Sequence, residues 1–252
     1  MIAVLSPAKT LDMSPAPGPH SQPRLLDESG RLVRDLRRRS RADLQELMGI
    51  SEKLAELNHA RFRDYTTPFD ETNAKPAALA FRGDVYRDLE ADTFDEATWQ
   101  RADRQLRILS GLYGLLRPRD LVQAYRLEMG TRLPTSRGKD LYAFWGDRIT
   151  DLLNEDLAAT GSDVLLNLAS KEYFRSLRPE RLDARVVNVH FREERNGKLR
   201  VLALHAKRAR GRLASLLLRE GITRPEPLRE LVVNDYVYRP ELSTDTDWTF
   251  VR

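Results

Sequence analysis

Between residues 205 and 220 there are five lysines or arginines and one acid, Glu220, and four of the five gather as Lys207, Arg208, Arg210 and Arg212. They follow an alternating run and precede a helical one, which places them at a strand-to-helix junction. Cations at a helix N-terminus oppose the macrodipole unless an anion lies between them, so a bound phosphate would resolve the conflict. Solvation or pairing with scattered carboxylates would resolve it too. Lys9 and Asp12 stand just beyond a short apolar run. Residues 110 to 130 set Gly111 and Gly114 beside Arg117, Arg119, Asp120, Arg126 and Glu128: either a site with flexible backbone or a buried turn with structural ion pairs. Ser170 and Glu172 fall at the end of a buried run, where open α/β sheets keep their sites and where a helix cap would also sit. His190 and His205 are expected diagonally across one hairpin face, within reach of a shared iron or zinc ion. Two ligands do not complete a site, and no metal or other cofactor is assigned.

The elements that must position these groups are legible from periodicity. Ile2 to Leu5 reads as a buried strand halted by Ser6-Pro7, and residues 14 to 23, with four prolines and a glycine, read as a surface loop. Apolar spacing from 27 to 64 predicts three short helices. Ser40 with Asp43 makes a capping box, Gly49 closes that helix in the left-handed conformation and Ser51 caps the next. The hairpin over 41–59 resembles a helix-hairpin-helix, in which a glycine-containing turn offers backbone N–H groups to DNA phosphate; a plain antiparallel helix pair is the other reading. Gly49, Ser51 and Lys53 are its candidate contacts, with Arg31, Arg34, Arg38 and Arg41 as a basic stripe alongside. Residues 96–109 and 141–156 read as helical, 121–129 as extended, and 164–168 as a buried strand. Asn196-Gly197 marks a β-hairpin over 185–206, with Val187, Val189 and Phe191 sharing a face with Leu202, Leu204 and Ala206. A helix then runs from Leu213 to Arg219, and strands lie near 236–238 and 248–251.

Composition bounds the chemistry. The 252 residues are 41% hydrophobic and 32% charged, which suits a globular α/β chain and excludes disorder and collagen. No apolar stretch approaches the roughly 20 residues of a membrane helix, and the start lacks a secretory pattern, so a cytoplasmic location without a membrane partner is expected. With no cysteine, disulfides, thiolate metal sites and cysteine nucleophiles are excluded. Of 42 basic residues seven are lysines, so 35 are arginines; arginine carries the net charge of +4, and its planar fork matches phosphate. Nucleotide-loop, hydrolase-elbow and metalloprotease motifs do not occur.

Taken together, SPAKTLD (6–12), FRGDVY (81–86), LSGLYGLLRPRDL with YRLEMG (109–130), LYAFWG (141–146), NLASKEYF (167–174) and AKRARG (206–211) resemble the YaaA family of bacterial peroxide stress proteins. The resemblance implies one compact domain over 1–252 with a mixed sheet and unusual topology, a helix-hairpin-helix-like element in a basic cleft, DNA binding, and limitation of intracellular iron under peroxide. The matching positions with anion-binding chemistry are Lys9, Arg117, Arg126, Lys207, Arg208 and Arg210. A monomer that binds duplex or structured DNA mainly through phosphates, without a catalytic residue, is the expectation. The rival is an enzyme acting on a phosphorylated or acidic small molecule in the same cleft, with Asp12, Asp84, Glu128 or Glu172 as acid or base. A carboxylate cluster around Lys9 in a narrow pocket would favour the rival; an open basic groove would favour DNA.

Overall fold

The computed structural model describes every residue, Met1–Arg252. The first apolar run forms β1 (Ile2–Leu5), buried throughout, and β2 (Thr10–Leu11) follows the Ser6-Pro7 turn. The proline-rich segment forms no helix. Its far end is tied down where Ser21 N–H donates to Arg119 O at 3.0 Å and Ser21 Oγ to Asp120 Oδ1 at 2.6 Å. Three helices follow, α1 (Leu26–Arg37), α2 (Arg41–Met48) and α3 (Glu52–Asp64). Ser40 and Asp43 form the reciprocal capping box, Gly49 takes a φ of 58°, and Ser51 Oγ accepts from Leu54 N–H. Because α1 ends at Arg37, the arginine stripe is broken: Arg38 caps α1 and Arg41 opens α2.

The chain continues through β3 (Lys75–Pro76), α4 (Ala77–Ala80), β4 (Phe81–Arg82), α5 (Asp84–Leu89) and α6 (Glu96–Gln105). The helix expected over 96–109 stops at Gln105. Leu106–Ser110 is β5, because its side chains are buried on both faces of the sheet, as central parallel strands require. Next come β6 (Gly114–Leu116), β7 (Leu121–Val122), α7 (Leu141–Trp145), α8 (Arg148–Thr160), β8 (Val164–Asn167) and α9 (Lys171–Phe174). Only Leu121 and Val122 pair within the segment read as extended over 121–129. The single helix read over 141–156 is two, since Gly146 at φ 54° and ψ −122° leaves the helical region.

The hairpin consists of β9 (Arg185–Arg195) and β10 (Lys198–Arg200), in the expected register with Arg195 opposite Lys198. It does not reach 206. Helix α10 (Ala203–Arg219) begins where the second strand was expected to continue. Val201 to Ala206 suits either period, and the Ala, Lys and Arg residues that follow are strong helix formers. The chain closes with β11 (Val237–Tyr238) and β12 (Asp247–Val251).

Eight strands form one sheet in the order β11-β12-β9-β8-β1-β5-β6, with β10 paired to β9. Strands β1, β5, β8, β9 and β12 run parallel; β6, β10 and β11 are antiparallel to their neighbours. The fold is therefore a mixed α/β one, as the sequence indicates. From β1 the sheet continues to β5 on one side, whereas from β8 it continues to β9 on the other. The strand order thus reverses between β1 and β8. No helix is long and apolar enough to cross a membrane.

Candidate functional site

At the carboxyl ends of β1 and β8 two loops lock together. Ser170 N–H donates to Ser6 Oγ at 2.9 Å, and Tyr86 Oη donates to the Ser6 carbonyl at 2.9 Å. Burial pushes the Tyr86 pKa well above its ordinary value, so it remains a neutral donor. Lys9, just past β1, reaches Glu128 Oε2 at 2.7 Å, while Arg126 Nη2 donates to Glu128 Oε1 at 3.1 Å. Glu172, on α9, accepts from Gly130 N–H through Oε1 at 2.8 Å.

Lys9, Glu128 and Glu172 form a partition between two hollows, each lined in part by all three. The outer one is a groove of about 850 Å³ between the Arg39–Gly49 segment and the loop from Arg126 to Pro134. The inner one is a chamber of about 420 Å³ enclosed by the Ser6–Thr10 loop, α5, the start of α9 and α10.

The charges are mixed by type and unequal in pairing. Lys9, Arg39, Arg126 and Arg132 line the groove together with Asp43, Glu46, Glu128 and Glu172. Lys9 and Arg126 share Glu128, and Asp43 is occupied by Ser40 N–H at 2.8 Å. Arg39 and Arg132 have no carboxylate within ion-pair distance, nor do Lys207 and Arg210 in the chamber. The Nε atoms of Arg39, Arg126 and Arg210 are buried without a hydrogen-bond partner.

Nine of the residues singled out in the sequence as site candidates thus come together: Lys9, Gly49, Asp84, Arg126, Glu128, Ser170, Glu172, Lys207 and Arg210. Others do not. Arg117 is held by the buried Asp120 at 2.9 Å and by the Gln22 carbonyl at 3.1 Å, so the charged turn at 117–120 is structural and outside the cleft. Ser51 caps α3 and Lys53 is exposed, and neither lines a hollow. Asp12 binds Ser14 N–H at 2.9 Å, Arg82 at 3.1 Å and Lys75 at 3.6 Å; Ser14 first, then Arg82, holds its carboxyl well below the usual range.

The basic cluster does not open a helix, because α10 starts four residues before Lys207. These cations therefore do not oppose a helix N-terminus. What the helix does instead is sort the cluster: Lys207 and Arg210, at i,i+3, face the chamber, while Arg208 and Arg212, at i,i+4, reach Asp88 at 3.0 Å and Glu90 at 3.6 Å. The same early helix separates the two histidines. His190 lies 3.0 Å from Asp247 and His205 2.6 Å from Glu193, on different elements, and no group of three or more His, Asp or Glu converges on a metal position. Arg39 and Arg132 escape the sequence reading because nothing local distinguishes them among 35 arginines.

The family described as Peroxide stress protein YaaA matches residues 1–242. A curated relative, the UPF0246 protein of Tolumonas auensis (strain DSM 9187 / NBRC 110442 / TA 4), is 52% identical over 254 residues, a span that covers 100% of this chain and 98% of the relative.

Proposed function

The chain belongs to the peroxide stress protein YaaA family, which gives it a role in the peroxide stress response, and from that premise we propose that it acts by binding DNA through backbone phosphates along the outer groove. Binding there would shield DNA and help limit damage from intracellular iron. The observation that carries this reading is the pair Arg39 and Arg132: both open into the groove without a carboxylate partner, beside the left-handed turn at Gly49. Guanidinium groups left uncompensated on an open surface match phosphate, which supplies affinity without sequence readout. Glu46 lines the same groove and opposes an incoming polyanion.

Duplex affinity measured across salt tests the reading. Arg39→Ala and Arg132→Ala should each weaken binding uniformly across sequences and lower the salt slope by about 1. Glu46→Gln should tighten it. Wild-type affinity and slope in both arginine variants would overturn the assignment.

A second reading rests on its own observation. Asp84, Glu128 and Glu172 gather with Lys9 around the inner chamber, whose volume of about 420 Å³ is too small for a duplex. That arrangement favours a small phosphorylated or acidic molecule, and acid–base chemistry upon it, at the inner end of the cleft.

A further inference from the structure

The inner chamber occupies the one place in this sheet where topology opens a crevice. Strands β1 and β8 are neighbours, yet the sheet builds away from them in opposite directions. Open α/β sheets bind ligands outside the strand carboxyl ends at such a point. Here the two loops are Ser6–Thr10 and Leu168–Tyr173, which touch where Ser170 N–H donates to Ser6 Oγ and which both line the chamber.

Its polar groups are asymmetric. On α10, Lys207 and Arg210 face the chamber with no carboxylate partner, and the Arg210 Nε is buried without an acceptor. Taking a cation out of water is unfavourable unless a counter-charge meets it, and burial already lowers the Arg210 pKa. In the same lining, Asp84 accepts no hydrogen bond from the protein, and Glu172 uses only Oε1, on Gly130 N–H at 2.8 Å. Lys207 and Arg210 therefore lack an anion, and Asp84 and one oxygen of Glu172 lack donors, while the other two cations of the lining, Lys9 and Arg82, are already paired with Glu128 and Asp12. Gly211 sets how closely the two helices that contribute to the lining approach: a Cβ there would lie 1.9 Å from the Val85 carbonyl oxygen, so α10 and α5 pack backbone to backbone.

We propose that the chamber between β1 and β8 binds a small phosphorylated molecule that also carries hydroxyl or amino groups, of the mononucleotide or sugar-phosphate class. Its phosphate rests on Lys207 and Arg210, and its donors meet Asp84 and the free oxygen of Glu172. A volume of about 420 Å³ lies within the roughly 300–1,000 Å³ of small-molecule sites. The proposal deepens the second reading of the cleft and does not depend on duplex binding in the groove.

Titration calorimetry of the full chain with adenosine 5′-monophosphate, ribose 5-phosphate and inorganic phosphate tests it. At least one organic phosphate should saturate one site, about tenfold or more tighter than inorganic phosphate, the gain expected from donors meeting the free carboxylate oxygens. A Lys207→Ala, Arg210→Ala double variant should lose that binding. Asp84→Asn, which keeps shape and every cation, should weaken the organic phosphate while leaving inorganic phosphate unchanged or bound more tightly, so the test survives even where the double variant fails to fold. Arg132→Ala should weaken duplex alone, which separates failure of the groove from failure of the chamber. Absence of saturation by either organic phosphate at millimolar concentration would overturn the proposal. So would displacement of the bound ligand by duplex lacking terminal phosphates, which would assign these cations to the DNA backbone.

Discussion

Two regions of the molecule are rich in arginine and treat it in opposite ways. Where β9 meets the C-terminal strand, Glu193 Oε1 accepts from Arg252 at 2.9 Å and from Tyr236 Oη at 3.1 Å, with His205 Nδ1 2.6 Å away, and Oε2 accepts from Arg195 at 3.1 Å. Behind β5, Asp156 receives Arg24 through both oxygens, at 2.8 and 2.7 Å, and Arg107 Nε at 2.6 Å. Along the cleft, Arg39, Arg132, Lys207 and Arg210 have no such acceptor. The difference separates charge that holds the fold from charge that the fold leaves unpaired. Arg208 and Arg210 make the contrast within one helix: the first is fixed by Asp88 at 3.0 Å, and the second ends in the chamber.

Asp156→Ala should have the largest effect. Burial alone would raise the Asp156 pKa, but Arg24 and Arg107 outweigh it and hold it below its ordinary value. Removing the carboxylate strands Arg107, which is 3% exposed, and should cost about 3–5 kcal/mol in urea unfolding. Arg210→Ala, which removes an already uncompensated cation, should cost under about 1 kcal/mol or stabilise the ligand-free protein. Similar losses in the two variants would erase the distinction between the regions.

Gly211→Ala comes next. The added methyl must displace the Val85 carbonyl, and overpacking of this kind costs about 1–3 kcal/mol, more than the roughly 1 kcal/mol that alanine adds in helix propensity. Because α5 carries Asp84, the same shift should also lower small-ligand affinity in the chamber. A stabilised variant with unchanged binding would show that the two helices are not spaced by this contact.

The Glu193 network gives a pH signature. Burial would raise this carboxyl, but His205, Tyr236, Arg252 and Arg195 hold it down to about 2, against an ordinary 4.5. A folded-state pKa lowered in this way contributes stability above about 4.5 that is lost as the pH falls toward about 2. Unfolding free energies of wild type and Glu193→Gln should therefore converge across that window. Parallel curves would mean that the network does not bias the carboxylate.

Much of this arrangement was legible where local chemistry decides the outcome. Ser40, Gly49 and Ser51 bound their helices because caps act within four residues, and Ile2–Leu5 and residues 164–168, found as Val164–Asn167, read as buried strands because both faces of a central parallel strand are apolar. The departure with the widest consequences starts at Val201, where an apolar alternation fits strand and helix equally. Taking it as strand put Lys207 at a helix start, and it joined His190 to His205 on a face they do not share. The gathering of Lys9, Glu128 and Glu172 was legible only as three separate strand-end or turn positions. Which loops meet depends on strand order, and a reversal between β1 and β8 is a property of the whole sheet.

The smallest expected effect concerns the groove's own scaffold. Arg41 on α2 meets Glu56 on α3 at 2.9 Å, which looks like a clasp on the hairpin, but the two side chains are 61% and 60% exposed. Water screens such a pair and both side chains lose rotamer freedom to form it, so a double-mutant cycle on Arg41→Ala and Glu56→Ala should give a coupling of about 0.2–1 kcal/mol. The hairpin is held instead by the Ser40 box and the left-handed Gly49, whose amide donates to Glu46 O at 3.3 Å. Ser40→Ala should cost about 1 kcal/mol. A coupling above the cost of the cap would place part of the hairpin's rigidity in exposed charge, and stability and duplex affinity would then fall together with added salt. With the coupling as small as the exposure implies, salt should weaken duplex binding while leaving the hairpin's contribution to stability in place.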